Sequence, residues 1–276
     1  MTDLQGKKAE TLLSLHHSEK LLILPNVWDV LGAKLLESEG FEAIATASAS
    51  VAFSRGFDDN QEIDFTTLLR LFRSICQSTS LPVTVDIERG YADSLDQLTE
   101  NIKNLISCGV VGLNIEDSNK KGENLESIEH QCEKIQLIRQ VADNLGIPLV
   151  INARTDVFLM KSYEDNRLSE SIRRGQQYKH AGADCFYPIL CSNDELKEIN
   201  LAVDLPVNVL AQQDTHSVSE LERLNIARLS LGPALLRSAL MKMRETVRSL
   251  KQGTSFDSFI NENTITSKEI LAIIKP

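Results

Sequence analysis

Short apolar runs alternate with longer amphipathic stretches along almost the whole chain. The runs are mostly continuous rather than alternating between apolar and polar residues, which is typical of parallel strands covered by helices. Eight such runs occur within the 276 residues. They cover residues 22–26, 43–47, 83–87, 112–116, 149–153, 185–189, 207–210 and 228–231.

Apolar residues at helical spacing follow most of these runs. They predict helices over 30–39, 94–107, 128–145, 168–180 and 233–250. The first four end at or near a glycine, a frequent C-cap residue, and a strand follows soon afterwards. Repeated βα units of this kind predict an α/β fold, a closed (β/α)8 TIM barrel. A doubly wound sheet would usually carry G-x-G-x-x-G after its first strand, and this sequence has no such motif there.

The chain is predicted to form one domain over residues 1–276. No stretch is rich enough in proline, glycine or serine to mark a linker. Residues 253–276 lie beyond the eight units and are expected to form a helical tail.

Composition and charge narrow the classes of partner. The formal net charge is −10 at pH 7, which argues against nucleic acid and against an anionic membrane surface. A small anionic substrate stays compatible, because one metal ion and one arginine can reverse the local field. The five cysteines are scattered without a C-x-x-C pair, and the first ten residues show no signal-peptide core. We therefore expect a reduced, cytoplasmic protein.

Polar residues gather where three neighbouring predicted strands end. Asp86 and Glu88 are two residues apart, so on a strand both would point to the same face. Glu116 ends the next strand and Arg154 follows the one after it. Catalytic groups of such barrels lie at these strand ends, and clustered carboxylates favour a hard cation such as Mg²⁺, with Mn²⁺ as an alternative. Histidine and cysteine are absent from these strand ends, which disfavours zinc.

Six segments in this order resemble the phosphoenolpyruvate mutase/isocitrate lyase superfamily. The resemblance extends over about residues 22–239. The segments are Ile23-Leu24-Pro25-Asn26-Val27-Trp28-Asp29, Ala45-Thr46-Ala47-Ser48-Ala49, Val85-Asp86-Ile87-Glu88-Arg89-Gly90-Tyr91, Asn114-Ile115-Glu116-Asp117, Asn152-Ala153-Arg154-Thr155-Asp156 and Ser230-Leu231-Gly232-Pro233.

The resemblance implies a role for each matching residue. Asp86 would bind Mg²⁺ directly. Metal-bound waters would be held by three further acids, which are Asp59, Glu88 and Glu116. The substrate carboxylate or phosphonate would be cradled by Ala47, Ser48 and Ala49. Arg154 would bind the substrate carboxylate and the developing enolate oxygen, and we add Asn208 to the predicted substrate-binding residues. Barrels of this family often form tetramers that exchange a terminal helix, so we expect a homo-oligomer, a dimer or a tetramer.

The loop after the fourth strand departs from the lyase pattern. Isocitrate-type lyases carry K-[KR]-C-G-H there, with the cysteine as acid/base. Residues 118–125 contain neither cysteine nor histidine. By counting from Glu116, Asn124 takes the place of the cysteine, and we assign it and Lys120 as catalytic candidates. The strand at 185–189 also ends without an acid or a histidine, where several branches have one.

The predicted activity is therefore a Mg²⁺-dependent reaction that makes or breaks a P–C or C–C bond next to a small 2-oxo acid. An enolate-like species is the expected intermediate. The absent loop cysteine favours the phosphoenolpyruvate mutase-like branch. Two alternatives stay open, a C–C lyase or decarboxylase acting on an oxaloacetate- or malate-type acid, and a barrel that binds ligand without turnover.

Overall fold

The computed structural model describes residues 3–119, 124–253, 255–261 and 264–275. Within these ranges it contains nine strands and eleven α-helices. The strands are β1 (Leu22–Leu24), β2 (Asn26–Val27), β3 (Ile44–Thr46), β4 (Val83–Asp86), β5 (Gly112–Glu116), β6 (Val150–Thr155), β7 (Cys185–Pro188), β8 (Asn208–Leu210) and β9 (Arg228–Ser230). The helices are α1 (Asp3–His16), α2 (Val30–Ser38), α3 (Ser48–Phe53), α4 (Phe65–Ser78), α5 (Leu95–Ser107), α6 (Ile128–Asn144), α7 (Arg167–His180), α8 (Asn193–Val203), α9 (Val218–Arg223), α10 (Ala234–Lys251) and α11 (Ser267–Ile274).

All the strand pairings are parallel and follow one another around the molecule. One sheet has the order β2-β3-β4-β5-β6-β7 and the other β1-β9-β8. A parallel bridge between Phe186 and Val207 joins β7 to β8. Pro25 separates β1 from β2 because it lacks an N–H, yet its carbonyl oxygen still accepts from the Ala45 N–H at 2.9 Å. With β1 and β2 counted as one interrupted strand, all eight predicted strands are present and the α/β barrel is confirmed.

The predicted helices are also confirmed, with ends that differ by one residue or so. In α5, the Ser94 side chain caps the first turn by accepting from the Gln97 N–H, and the apolar face from Leu98 to Ile106 is buried. Five helices were not predicted from the sequence, namely α1, α3, α4, α8 and α9. Of these, α3 and α9 have only six residues each, too few for a clear helical period.

Helix α1 packs against the end of the barrel opposite the predicted site. Gln5 donates through Nε2 to the carbonyl oxygens of Ile106 and Val110, at 2.7 and 3.1 Å. Leu12 is fully buried, and a Cβ on Gly112 would lie 2.8 Å from its Cδ2 atom. Gly112 is therefore needed for this close approach. Because α1 lies at the amino ends of the strands, it does not cover the carboxyl ends, where the predicted site residues lie.

The structure bears on two further sequence predictions, on the cysteines and on the membrane. All five cysteines are free thiols. Over the described ranges, no helix is long and apolar enough to cross a membrane. The cytoplasmic location stays a prediction, and so does exchange of the tail, whose helix α11 contacts α2 of its own chain.

Candidate active site

The register of the strands aligns the predicted site residues in rows. Glu116 of β5 lies opposite Arg154 of β6, and Arg154 lies opposite Tyr187 of β7. One row closer to the centre of the barrel, Asp86 of β4 lies opposite Asn114. Partners in a parallel register share a face, so these side chains converge at the carboxyl ends of the strands.

The Asp86 carboxylate accepts hydrogen bonds from two segments, the first turn of α3 and the turn after β4. Its Oδ2 accepts from the Ser48 hydroxyl at 3.0 Å and from the Ser48 N–H at 3.4 Å, and its Oδ1 accepts from the Glu88 N–H at 3.0 Å. The Asp86 N–H donates to Thr46 Oγ1 at 3.1 Å. A carboxylate has about four lone-pair sites, so Asp86 keeps capacity to bind a cation.

Glu88 reaches the site through a turn rather than along a strand. Strand β4 ends at Asp86, and Glu88 has φ of 47°, in the left-handed region. The predicted reason for its placement, two-residue alternation on a strand, was therefore wrong. The turn needs Gly90, which has φ of 105° and where a Cβ would lie 2.8 Å from the Leu98 Cδ1 atom. Glu88 Oε1 accepts from the Tyr91 hydroxyl at 2.5 Å and from the Gln61 N–H at 3.2 Å.

Arg154 is already paired with two carboxylates. Its Nε and Nη2 donate to the two oxygens of Asp156 at 2.6 and 3.1 Å, and its Nη1 lies 2.9 Å from Glu116 Oε2. Glu116 also accepts from the Ser118 hydroxyl at 2.7 Å. Glu116 also lies 3.6 Å from Arg89 Nη1, so two carboxylates and two guanidinium groups share their charges here. Since a guanidinium has five N–H donors, some remain available for a ligand.

The acids at these strand ends carry more negative charge than the surrounding groups compensate. Burial, followed by the charge of Asp86, raises the pKa of Glu88 to about 8, although the Tyr91 hydroxyl opposes the shift. Loss of hydration and then the charge of Asp86 raise the pKa of Asp59, on the exposed loop, to about 6. Burial also raises the pKa of Asp86, with Arg154 opposing and Glu116 reinforcing the shift. A bound cation would favour the ionised form of all three.

These residues fit a metal held by one carboxylate and several waters. In the part of the chain that the structure describes, no three His, Cys, Asp or Glu side chains are arranged to hold a metal ion directly. Mg²⁺ commonly keeps several waters and takes one or two carboxylates, so direct binding by Asp86 alone is compatible with this arrangement. The oxygen donors and the unmet negative charge both suit a hard divalent ion.

A buried network behind the site was not predicted from the sequence. Asp117 is fully buried and accepts from the Thr155 hydroxyl at 2.7 Å, the Asp156 N–H at 2.9 Å, Arg174 Nη1 at 3.0 Å and the Tyr178 hydroxyl at 2.7 Å. It thereby fixes the end of β6, where Asp156 orients Arg154. Asp117 and Asp156 are part of the sequence motifs Asn114–Asp117 and Asn152–Asp156. Their burial and hydrogen bonds, which the sequence does not show, indicate that they hold the end of β6 and orient Arg154.

The remaining predicted residues differ in how they relate to the acids, and among them Ser48 is hydrogen-bonded to Asp86. Ala47 is the N-cap residue of α3, so Ser48 and Ala49 form the first turn beside Asp86. Asn208 is fully buried, and its Oδ1 accepts from the Ser230 hydroxyl at 3.1 Å. Asn124 is exposed and closes the loop through the Asn119 N–H, which donates to its carbonyl oxygen at 2.7 Å. Lys120 lies outside the described residues. The site roles of all these residues stay predictions.

Comparison with known proteins shows the family. The sequence profile of phosphoenolpyruvate phosphomutase matches residues 12–251. The chain belongs to the phosphoenolpyruvate phosphomutase family. An uncharacterised relative from Mycobacterium tuberculosis H37Rv is 31% identical over 87% of this chain and 88% of its own. A solved structure from Burkholderia cenocepacia J2315, provisionally named a lyase or mutase, is 32% identical with a TM-score of 0.91, and the match covers 100% of this chain and 98% of that one.

Other relatives of this phosphomutase-family chain have names that specify reactions. A 2-methylisocitrate lyase of Halalkalibacterium halodurans is 29% identical over 74% of this chain and 67% of its own. An oxaloacetate decarboxylase of Bradyrhizobium sp. BTAi1 is 27% identical over 90% of this chain and 86% of its own. A phosphonopyruvate hydrolase solved with oxalate and Mg²⁺ has a TM-score of 0.83, covers 96% of this chain and 94% of its own, and at 23% identity shows the fold alone. Relatives in this family are lyases and mutases, and the predicted enzyme class is confirmed.

Proposed function

We propose that this protein is a Mg²⁺-dependent enzyme that makes or breaks a P–C or C–C bond next to a small anionic 2-oxo acid or phosphonate. The observation that carries the proposal is the group of acids around Asp86 at the carboxyl ends of the strands. Burial first, and then the charges of neighbouring carboxylates, raise the pKa values of Asp59, Asp86 and Glu88, and a divalent cation would favour their ionised forms. Family membership and the names of the relatives support the class of reaction.

Asp86 would bind the metal directly. The acids that interact electrostatically with Asp86 would hold metal-bound waters, and these are Asp59, Glu88 and Glu116. When bound, a divalent ion supplies Lewis-acid polarisation of the 2-oxo group. Mn²⁺ shares the preference for oxygen ligands and would also fit.

Arg154 would bind the substrate carboxylate. Its three donors toward Asp156 and Glu116 fix the plane of the guanidinium, and its remaining N–H groups are available to the ligand. A planar, oriented guanidinium can also donate to an oxygen that becomes negative as an enolate forms. Because Glu116 and Asp156 offset its charge, Arg154 alone would attract an anion weakly, which favours joint binding of metal and substrate.

The choice between P–C and C–C chemistry depends on the loop after β5. The absence of a loop cysteine supports the phosphomutase-like branch, with Asn124 and Lys120 as the catalytic candidates. The alternative is a lyase or decarboxylase acting on an oxaloacetate- or malate-type acid. Similarity to an oxaloacetate decarboxylase along 90% of this chain favours that alternative.

Thermal unfolding with Mg²⁺ and oxalate tests the proposal. Oxalate has the two adjacent oxygens of a pyruvate enolate but does not react. At a ligand concentration about 100 times Kd, binding to the folded state contributes about 2.7 kcal/mol. That corresponds to a rise in Tm on the order of 5–10 °C for a chain of this size. The rise is expected only with both components, and no Mg²⁺-dependent shift at millimolar oxalate would contradict the proposal.

We also propose that the protein is a homo-oligomer. Helix α10 buries only Leu236. Four apolar residues on it recur at helical spacing and are 37–58% exposed, namely Leu240, Met243, Val247 and Leu250. Such a stripe on a helix favours a second helix packed against it.

Light scattering after gel filtration tests this assembly. The wild type is expected to have the mass of a dimer or a tetramer. The double substitution Met243→Glu, Val247→Glu places two charges in the stripe and should shift the mass toward that of a monomer. Lys242→Glu on the same helix lies off the stripe and should leave the mass unchanged. A monomeric wild type at micromolar concentration would contradict the proposal.

A further inference from the structure

We propose that Tyr187 contacts the substrate directly and that its hydroxyl donates a hydrogen bond to a second acidic group of the ligand. The ligand is then a 2-oxo or 2-hydroxy acid with a distal carboxylate or phosphonate. This inference rests on the proposed function, because it assigns one more ligand contact to the same site.

The fold places Tyr187 beside the groups that would bind substrate. It lies opposite Arg154 in the register of β6 and β7, so both side chains share the face that meets the acids. The Tyr187 side chain is close enough to interact electrostatically with Arg154, Arg228 and Asp86. Tyr187 is only 4% exposed, so it meets these groups inside the barrel and not at the protein surface.

The Tyr187 hydroxyl has no hydrogen-bond partner among the residues whose placement the structure gives. Two other tyrosine hydroxyls of the barrel are bonded. That of Tyr91 donates to Glu88 at 2.5 Å, and that of Tyr178 donates to Asp117 at 2.7 Å. Tyr187 is mostly buried but its hydroxyl stays accessible at the site, so a ligand that displaces water from it must supply a partner, because leaving the hydroxyl unpaired costs free energy. The missing partner of Tyr187 is therefore expected to come from the ligand.

The positive charge near Tyr187 indicates that the partner is an anion. Arg228 is 1% exposed and donates through Nε to the Ser230 hydroxyl at 3.1 Å and through Nη2 to Asn114 Oδ1 at 3.4 Å. Its Nη1 has no partner, and among the described residues the carboxylate that interacts with it is Asp86, beyond ion-pair distance. The β7–β9 side of the site thus has a cation with an unused donor, whereas the β4–β5 side has the excess of acids.

Tyr187 is suited to donate rather than to accept. Burial raises the pKa of its hydroxyl, so the group keeps its proton at neutral pH. A ligand that spans the site would place its 2-oxo acid end toward Asp86 and its distal acidic group toward Tyr187. Oxalate has no distal group and would occupy only the first position.

Calorimetric titration of the Mg²⁺-loaded protein tests the assignment. The probes are oxalate, malate and phosphonopyruvate, and the variant is Tyr187→Phe, which keeps the ring and its packing. Loss of one hydrogen bond to a charged group is expected to weaken the tighter of the two longer ligands about tenfold. Oxalate binding should change less than about twofold, since oxalate does not reach the hydroxyl. Tyr163→Phe, which removes a hydroxyl from the short helix at Lys161–Tyr163, should change neither.

Each of the other possible results would contradict either the distal contact, the recognition of a second acidic group or the proposed function. If Tyr187→Phe weakens no ligand, or weakens oxalate as much as the longer ligand, the distal contact is wrong. If the wild type binds neither longer ligand more tightly than oxalate, the site does not recognise a second acidic group. If the wild type fails to bind even oxalate with Mg²⁺, the proposed function itself fails, which distinguishes the two failures.

Discussion

The substitution Asp86→Asn is expected to abolish the joint stabilisation of the protein by Mg²⁺ and oxalate. In the wild type this stabilisation amounts to about 2.7 kcal/mol at 100 times Kd. The variant should show no ligand-induced change in Tm at the same concentrations. The measurement is thermal unfolding with and without both components, and the shift is compared within each variant.

The physical reason is that Asp86 is the acid proposed to bind the ion directly. Its carboxylate lies between donors from Ser48 and Glu88, which fix its orientation. An asparagine has the same shape but lacks the charge, and its amide nitrogen presents hydrogen atoms where the cation needs lone pairs. The other acids would bind through waters, so none can replace Asp86 without moving.

Asp96→Asn is the matched control for Asp86→Asn. It removes the same charge from an exposed position in the first turn of α5, away from the acids. Its stabilisation by Mg²⁺ and oxalate should equal that of the wild type. Stabilisation of Asp86→Asn to the same extent as the wild type would show that the ion, if it binds, has another ligand.

The strands and most of the site were predictable because their signals are local. Each buried strand is a continuous apolar run, and the acids follow directly at its end. The position of Glu88 was predicted for the wrong reason, since the left-handed turn through Gly90 depends on packing against Leu98. A sequence pattern does not show such a contact.

The buried groups behind the site were harder to predict. Asp117 and Arg174 are 57 residues apart, and nothing in the sequence links them. Arg228 and Tyr187 lie on short strands beside apolar residues, and the role proposed for them rests on hydrogen-bond partners that the fold does not supply. Burial and pairing, which decide whether a polar residue is structural or available to a ligand, become visible only in the folded structure.

The substitution Arg174→Met is expected to have the largest effect on stability. Arg174 is 3% exposed on its side chain and donates to Asp117 at 3.0 Å and to Glu170 at 2.9 Å. Removing one partner of a buried ion pair typically costs about 3–5 kcal/mol, because the other charge stays buried. The free energy of unfolding should fall by about that amount, and Tm by on the order of 10 °C. Urea unfolding and thermal unfolding measure both quantities.

The neighbouring Arg173 provides a matched control. It pairs with the same carboxylate, Glu170, at 2.8 Å, but its side chain is 64% exposed. An exposed ion pair contributes about 0–1 kcal/mol, so Arg173→Met should change stability little. Both arginines pair with Glu170, so a difference between the two variants measures the effect of the buried position together with the further partner Asp117.

The double variant Arg174→Met, Asp117→Asn tests whether the uncompensated Asp117 charge causes the loss. The asparagine oxygen can still accept from the Asp156 N–H, as Asp117 Oδ1 does, and its Nδ2, in the place of Oδ2, can donate to the Thr155 hydroxyl, so both contacts still hold the end of β6. If the buried charge dominates, the double variant should recover part of the stability lost by Arg174→Met. Asp117 also positions Asp156 beside Arg154. The oxalate affinity of the double variant should therefore fall even if its stability recovers. Equal stability of Arg174→Met and Arg173→Met would show that the network around Asp117 tolerates the loss of its cation.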